Sequence, residues 1–284
     1  MKNYIKSPFN YTGGKYKQLN QILPYFPKDT IHFVDLFGGG FNVGLNVASK
    51  MVSYNDTVTP LVDLWKYFYT HDIGDMLDYI NATIVEYSLS EDNPLTFKFF
   101  RNIYNTSPYR NPLDLYVLIC FSYNYQLRFN NNYEYNGGHG TNRSKFNSNL
   151  EKRFKSSISR LQEKEVSFTN QHFTKYKNIS HNSFVYCDPP YLLSTASYND
   201  GRRGYGGWNI KEEKQLYNYL TKLNENSILF GLSNIIRKNN ITNNYLNDFI
   251  NKNNLVVHEI KSNYNNCSYN KRKSETVEVY VTNT

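Results

Sequence analysis

The chain has 284 residues, of which 39% are hydrophobic, 20% charged and 17% aromatic, and its formal net charge is +8. That length and apolar content can bury a sizeable core in one large or two modest domains, which excludes a disordered chain. No apolar run approaches the roughly 18 residues of a bilayer span, residues 1–14 lack a signal-peptide core, and Cys120, Cys187 and Cys267 form no CxxC pair or metal-ligand spacing. The expectation is a soluble, intracellular, metal-free globular protein.

In chain order, a helix-like stretch at 15–23 precedes apolar, β-branched or aromatic runs at 31–37, 51–54, 166–169, 184–187, 228–232, 255–260 and 277–282. Continuous runs of this kind predict strands buried on both faces, as in a parallel sheet. Helix-like stretches at 42–49, 211–223 and 245–252 alternate with them, which predicts an α/β fold. The alternation stops between about Trp65 and Gln162, where 62–69, 74–87, 96–104, 113–124 and 150–161 read as helices. A polar, Gly- and Asn-rich stretch at 129–149 reads as a hairpin, and 108–112 as a loop. The simplest organisation is an α/β domain of residues 1–64 and 163–284 carrying a helical insert at 65–162. Residues 50–100 hold 3 Lys or Arg against 8 Asp or Glu, whereas 126–177 hold 10 against 4. A basic section of that kind suits a polyanion-binding face.

Three segments carry chemistry. Phe33-Val34-Asp35-Leu36-Phe37-Gly38-Gly39-Gly40 reads as a strand, a glycine turn and a helix start. Its glycines allow a tight turn against a ligand, and a helix N-terminus supplies free N–H groups. Asp56, at the end of the next strand, can accept both ribose hydroxyls of a nucleoside. A dinucleotide fails in detail, because GxGxxG needs a third glycine where Val43 stands. In Tyr11-Thr12-Gly13-Gly14-Lys15, Tyr16 follows the lysine and no strand precedes it, which excludes an NTPase loop. The third segment is a buried strand ending in Asp188-Pro189-Pro190-Tyr191. Two prolines stop it and fix the backbone just beyond its C-terminal edge, where open α/β sheets bind ligands. There the Asp188 carboxylate and Pro189 carbonyl can face one amino group, and Tyr191 offers a flat face to a planar base. Cys187, on the strand itself, reads as core.

The order TGGK, DLFGGG, a YND strand end, a helical insert and DPPY resembles the Dam-type DNA adenine methyltransferases, most closely their phage-encoded branch. The resemblance runs over essentially the whole chain, through DPPYLLSTASYN, FGLSN and ETVEVYVTN. It implies a seven-stranded Rossmann-like sheet carrying S-adenosylmethionine, with target recognition in the insert. Tyr11, Gly13, Gly14 and Lys15 would then contact the cofactor. Asp35, Phe37 and the turn of Gly38, Gly39 and Gly40 would form its methionine side. Asp56 would hold the ribose, Phe173 would pack on the cofactor adenine, and Asp188 would lie between cofactor and substrate. His172 departs from the acidic or small polar residue usual at that place.

The resemblance also implies a target adenine flipped from duplex DNA and stacked on Tyr191. A mobile glycine-rich loop at 192–208, with Ser194, Arg202 and Arg203, would close over it and touch phosphate. In YNYQLRFN, Tyr123, Asn124, Arg128 and Asn130 would contact the target, Arg128 by a bidentate bond to guanine. Arg143, Lys145, Lys152 and Arg153 would bind phosphate. GATC is the target site implied, although the segment 131–145 is longer than the turn usual in relatives. Further implications are a cytoplasmic enzyme acting on nucleoid or phage DNA, with no metal and no membrane, and a companion restriction endonuclease encoded separately. The residues leave open an RNA adenine or another DNA site as target, and a non-catalytic DNA-binding module, against which Asp35, Asp56, Asp188 and Tyr191 speak.

Overall fold

A computed structural model of the chain describes residues 3–130, 132–194, 208–261 and 275–284. Helical turns at Lys15–Gln18 and Leu23–Tyr25 flank α1 (Leu19–Ile22) and lead into β1 (His32–Asp35) and β2 (Met51–Asn55). Five helices follow: α2 (Thr59–Thr70), α3 (Ile73–Glu86), α4 (Pro94–Thr106), α5 (Pro112–Phe121) and α6 (Ser148–Gln162). The chain then returns through β3 (Glu165–Thr169), β4 (Ser183–Cys187), α7 (Ile210–Glu225), β5 (Leu229–Lys238), β6 (Ile241–Thr242), α8 (Asn244–Asn253), β7 (Val256–Ile260) and β8 (Thr276–Thr282).

The strands form one sheet in the order β3-β2-β1-β4-β5-β8-β7, with β6 paired to β5 outside that path. β3, β2, β1, β4 and β5 run parallel, whereas β8 is antiparallel to both β5 and β7. The seven expected runs make up the seven-strand path among the described residues, and the two-residue β6 is an addition beside β5. One expectation is corrected here: the last run, β8, is antiparallel to both of its neighbours, while β7 points the same way as β5. Apolar runs report burial and not direction, and a two-residue strand is too short to carry a pattern. Nor are the edge strands buried on both faces: β3 is partly exposed along its length, and Val256 and Val257 of β7 are exposed.

Residues 42–49 form successive turns instead of the expected helix. Asn42 and Asn46 there accept backbone N–H groups from Ser7 and Ile5, and such side-chain bonds compete with helical ones. In the stretch at 129–149, Phe129 and Tyr135 form an antiparallel bridge, flanked by bonds from Asn130 N–H to the Glu134 carbonyl and from Asn136 N–H to the Arg128 carbonyl, a short hairpin-like turn, and Ser122 bridges His139. The insert helices start at strong caps. Asp72, Asn93, Asn111 and Asn147 each accept N–H groups of the following first turn, and Pro94 and Pro112 occupy first helical positions.

One apolar cluster covers one sheet face and continues into the insert, joining Phe33, Tyr54 and Tyr186 to Trp65, Phe68, Tyr116 and Phe154. A second covers the opposite face, where α7 and α8 bring Leu216, Leu220, Leu246 and Phe249 onto Val34, Val185 and Leu232. α2 straddles the boundary expected at 64/65. Strand order reverses between β1 and β4, so their C-terminal ends diverge and open a crevice. Among the described residues no helix is long and apolar enough to cross a membrane.

Candidate active site

A cavity of about 390 Å³ lies in that crevice, at the C-terminal ends of β1, β2 and β4. It falls within the range of small-molecule sites. Tyr11, Gly13, Gly14, Lys15, Asp35, Phe37, Gly38, Gly39, Gly40, Asp56, Phe173, Asp188, Pro189, Pro190 and Arg128 all line it, as does His172. Asp35 and Asp188, 153 residues apart in sequence, thus meet at one place.

The glycine turn is built by its neighbours. Gly38 N–H donates to the Asn55 carbonyl at 2.8 Å, and a Cβ on Gly38 would fall 2.2 Å from the Tyr54 ring. Gly39 holds φ +47°, a left-handed conformation that glycine adopts without strain. Its carbonyl accepts from Tyr54 Oη at 2.9 Å and Trp65 Nε1 at 3.1 Å. Its N–H donates to Asp56 Oδ2 at 2.9 Å, while Asp56 Oδ1 accepts from Val58 N–H at 2.9 Å. Asp56 therefore organises the turn as well as facing the cavity.

Three carboxylates share this low-dielectric space. Burial pushes Asp35 well above the usual carboxylate range, and the charge of Asp188 adds to it, opposed by the Gly44 N–H. Burial likewise raises Asp56 to about 6, against the Val58 and Gly39 N–H groups. Asp188 is raised by burial, opposed chiefly by Lys15. A cavity so arranged favours a cationic ligand, which would relieve the desolvated negative charge. Among the described residues no group of three or more His, Cys, Asp or Glu is placed to hold a metal ion.

Behind Asp188 the structure assembles a buried polar cluster. Lys15 Nζ lies 2.7 Å from Asp188 Oδ1, 3.7 Å from Glu278 Oε1 and 2.9 Å from the Gly13 carbonyl. Tyr191 Oη stands 2.9 Å from Asp188 Oδ1 and 3.0 Å from Glu278 Oε1, and the Lys15 ammonium lies 4.9 Å from the Tyr191 ring centre. Tyr191, expected to stack on a flipped base, is 4% exposed and is not among the residues that line the cavity. The aromatic wall comes instead from Phe37, Phe173 and Trp208, whose ring centres lie 5.5–5.9 Å apart. His172 packs on Phe173 at 4.4 Å, with Nδ1 2.8 Å from Thr174 Oγ1.

The expected DNA contacts divide. Arg128 reaches the cavity wall from the insert, and exposed Tyr123 lies under the Arg143 guanidinium at 5.7 Å. Asn124 is exposed, in a left-handed conformation, with its carbonyl accepting from Asn10 Nδ2 at 2.7 Å. Asn130 is a turn builder: its Oδ1 accepts from the N–H groups of Asn132 and Glu134, and its amide donates to Glu134. Lys145 pairs with Glu91 at 3.0 Å on the surface, and Lys152 is exposed. Arg153 is not a surface cation. It donates to the carbonyls of Ser7 and Phe9 and to Asn10 Oδ1, tying α6 to the N-terminal segment. Ser194 ends a helical turn at Leu192–Ser194, whereas Arg202, Arg203, Cys267 and most of the expected loop lie outside the described residues. Cys187 is fully buried, and burial pushes its thiol well up, which suits packing and not nucleophilic attack.

Sequence reasoning missed Glu278, Trp208 and Glu213. Glu278 is the one charged residue of its strand and stands between Val277 and Val279, the local signal of its burial. Glu213, fully buried, accepts from Trp208 Nε1, Tyr217 Oη, Asn234 Nδ2 and Asn243 Nδ2, and so anchors the tryptophan of the cavity wall.

Comparison with known proteins agrees with this geometry. The chain is similar to modification methylase StsI of Streptococcus sanguinis, at 46% identity over 99% of this chain and 43% of the relative. Type II methyltransferase M.FokI of Planomicrobium okeanokoites is 44% identical over 99% of this chain and 43% of its own length. Modification methylase LlaI of Lactococcus lactis subsp. lactis is 32% identical over 86% of this chain and 39% of its own. The chain spans less than half the length of these curated relatives. Residues 11–266 match the family of D12 class N6 adenine-specific DNA methyltransferases, and the chain belongs to that family.

Proposed function

We propose that the chain transfers a methyl group from S-adenosylmethionine to the exocyclic N6 amine of an adenine flipped out of duplex DNA. The observation that carries this reading is one cavity holding Asp188 and Pro189 beside Asp35, Asp56, a glycine cradle and an aromatic wall. These residues fit the cofactor, since it is cationic and bears a planar base and a ribose. When bound it supplies an electrophilic methyl group on a sulfonium. Asp35 and the turn from Gly38 to Gly40 would hold its amino-acid end, Asp56 its ribose, and Phe37, Phe173 and Trp208 its base.

The amine of adenine is a weak nucleophile, because its lone pair is delocalised into the ring. The Asp188 carboxylate and the Pro189 carbonyl accept hydrogen bonds from its two N–H groups and leave the lone pair aimed at the methyl donor. As positive charge grows on that nitrogen, Asp188 stabilises it, and solvent takes the released proton. Positioning of this kind contributes on the order of several kcal/mol, and no covalent enzyme intermediate is needed.

The insert, residues 65–162, is read as the recognition part. Arg128 contacts the target from the cavity wall, and Arg143 with Tyr123 forms an exposed contact to the duplex. GATC as the target rests on the Dam-type resemblance alone. The names of the relatives, a modification methylase and a type II methyltransferase, support a companion restriction endonuclease encoded separately, and action on DNA supports a cytoplasmic location.

The test is methyl transfer from labelled S-adenosylmethionine to two duplexes, one with a single GATC and one with that site scrambled. Labelling of adenine N6 that disappears in Asp188→Ala supports the reading, and labelling of both duplexes removes GATC as the target. Both duplexes unlabelled with the cofactor bound would discard GATC and move the reading to another DNA site or an RNA adenine.

A further inference from the structure

On the reading that Asp188 accepts the target amine, we infer that Glu278 is its positioning residue, acting through Lys15 and Tyr191 from outside the cavity. Glu278 is 1% exposed, on β8, and does not line the cavity. Its Oε1 shares the Tyr191 hydroxyl with Asp188 Oδ1, at 3.0 and 2.9 Å, and its Oε2 accepts from Gln18 Nε2 at 2.8 Å. Lys15 Nζ stands between the two carboxylates, 2.7 Å from Asp188 and 3.7 Å from Glu278. Among the described residues the cluster joins one ammonium to two buried carboxylates.

That arrangement has a use. Lys15 beside Asp188 weakens its carboxylate as an acceptor for the amine, and the Glu278 carboxylate, 3.7 Å from the same ammonium, offsets part of that effect and keeps Asp188 a stronger acceptor. The rigid framework supports this, since β8 lies beside β5 in the sheet and Gln18 holds the second oxygen. Among the described residues, the other titratable groups around Asp188 include Asp35 on β1 and Tyr186 and Cys187 on β4. Burial raises Asp188 most, Glu278 raises it further, and Lys15 and Tyr191 lower it.

Two variants push in opposite directions. Glu278→Gln keeps the shape and removes the charge, so Asp188 titrates at lower pH. Tyr191→Phe removes a donor to Asp188, so Asp188 titrates at higher pH. The first readout is the carboxyl ¹³C titration of Asp188 in the protein alone, with Asp188→Asn giving the assignment. The second is the pH profile of methyl transfer to duplex DNA. Its acid limb should follow the same two directions, with kcat about tenfold lower in Glu278→Gln and the KM for S-adenosylmethionine within about twofold, because Glu278 does not touch the cavity.

An Asp188 titration unmoved in Glu278→Gln, or moved the same way in both variants, overturns the inference. A parent that methylates no DNA while Asp188 still responds in opposite directions upholds the coupling and refutes only the methylation reading. A merely structural role would lower activity in both variants without separating their titrations.

Discussion

Replacing Arg153 by Met separates a structural role from nucleic-acid contact. Met keeps the length of the side chain and removes the donors that bind the carbonyls of Ser7 and Phe9 and the Asn10 side chain. Ser7 and Phe9 are buried, at 0% and 1% exposure, so solvent replaces the guanidinium poorly. An abandoned buried acceptor costs roughly 1–3 kcal/mol, and two of them set an expected loss of about 3 kcal/mol. Urea unfolding of Arg153→Met against the parent measures this directly. The companion assay is DNA affinity across a salt series, in which a phosphate-binding cation contributes about one unit of slope in the logarithmic plot. The expected result is a large loss of stability with an unchanged slope. Unaltered stability with a shallower slope would refute the structural assignment and restore Arg153 to the DNA face.

Two further outcomes are expected. Gly38→Ala puts a methyl 2.2 Å from the ring of Tyr54, which is held by its bond to the Gly39 carbonyl and by Phe41 at 4.9 Å. Overpacking of that kind costs roughly 1–3 kcal/mol, and calorimetry should show weakened binding of S-adenosylhomocysteine; an unchanged melt and affinity would contradict the cradle. Asp56 rises from 3.8 to about 6 in the folded chain, so the fold favours its protonated form. Its contribution is fully present below the unfolded value and is lost as pH rises through about 6, by up to about 3 kcal/mol. Unfolding experiments between pH 4.5 and 7.5 on the ligand-free protein should show this decline, and Asp56→Asn should flatten it; an equal slope in the variant assigns the titration to another group.

Much of the site was legible because its signals are local. A strand that ends in glycines, another that ends in two prolines, and an aspartate at each end constrain the backbone whatever surrounds them. Asp35, Asp56 and Asp188 could therefore be placed on one sheet edge from alternation and turn chemistry alone. The helix expected at 42–49 failed for a related reason: Asn42 and Asn46 reach across to Ile5 and Ser7, contacts that no window of neighbouring residues contains.

The amino-acid sequence by itself thus determined the α/β alternation, the helical insert and the identity of the residues at the strand ends, since periodicity, capping and turn residues act over a few positions. The tertiary structure alone decided which way the side chains face. Tyr191 turns to Asp188 and Glu278, Arg153 to the N-terminal segment, and Asn130 into its own loop. It also set β8 antiparallel between β5 and β7, which brings Glu278 within reach of Lys15 from the far end of the chain. Those arrangements depend on strand order and on partners remote in sequence, where burial leaves a polar group no choice but the partner the fold supplies.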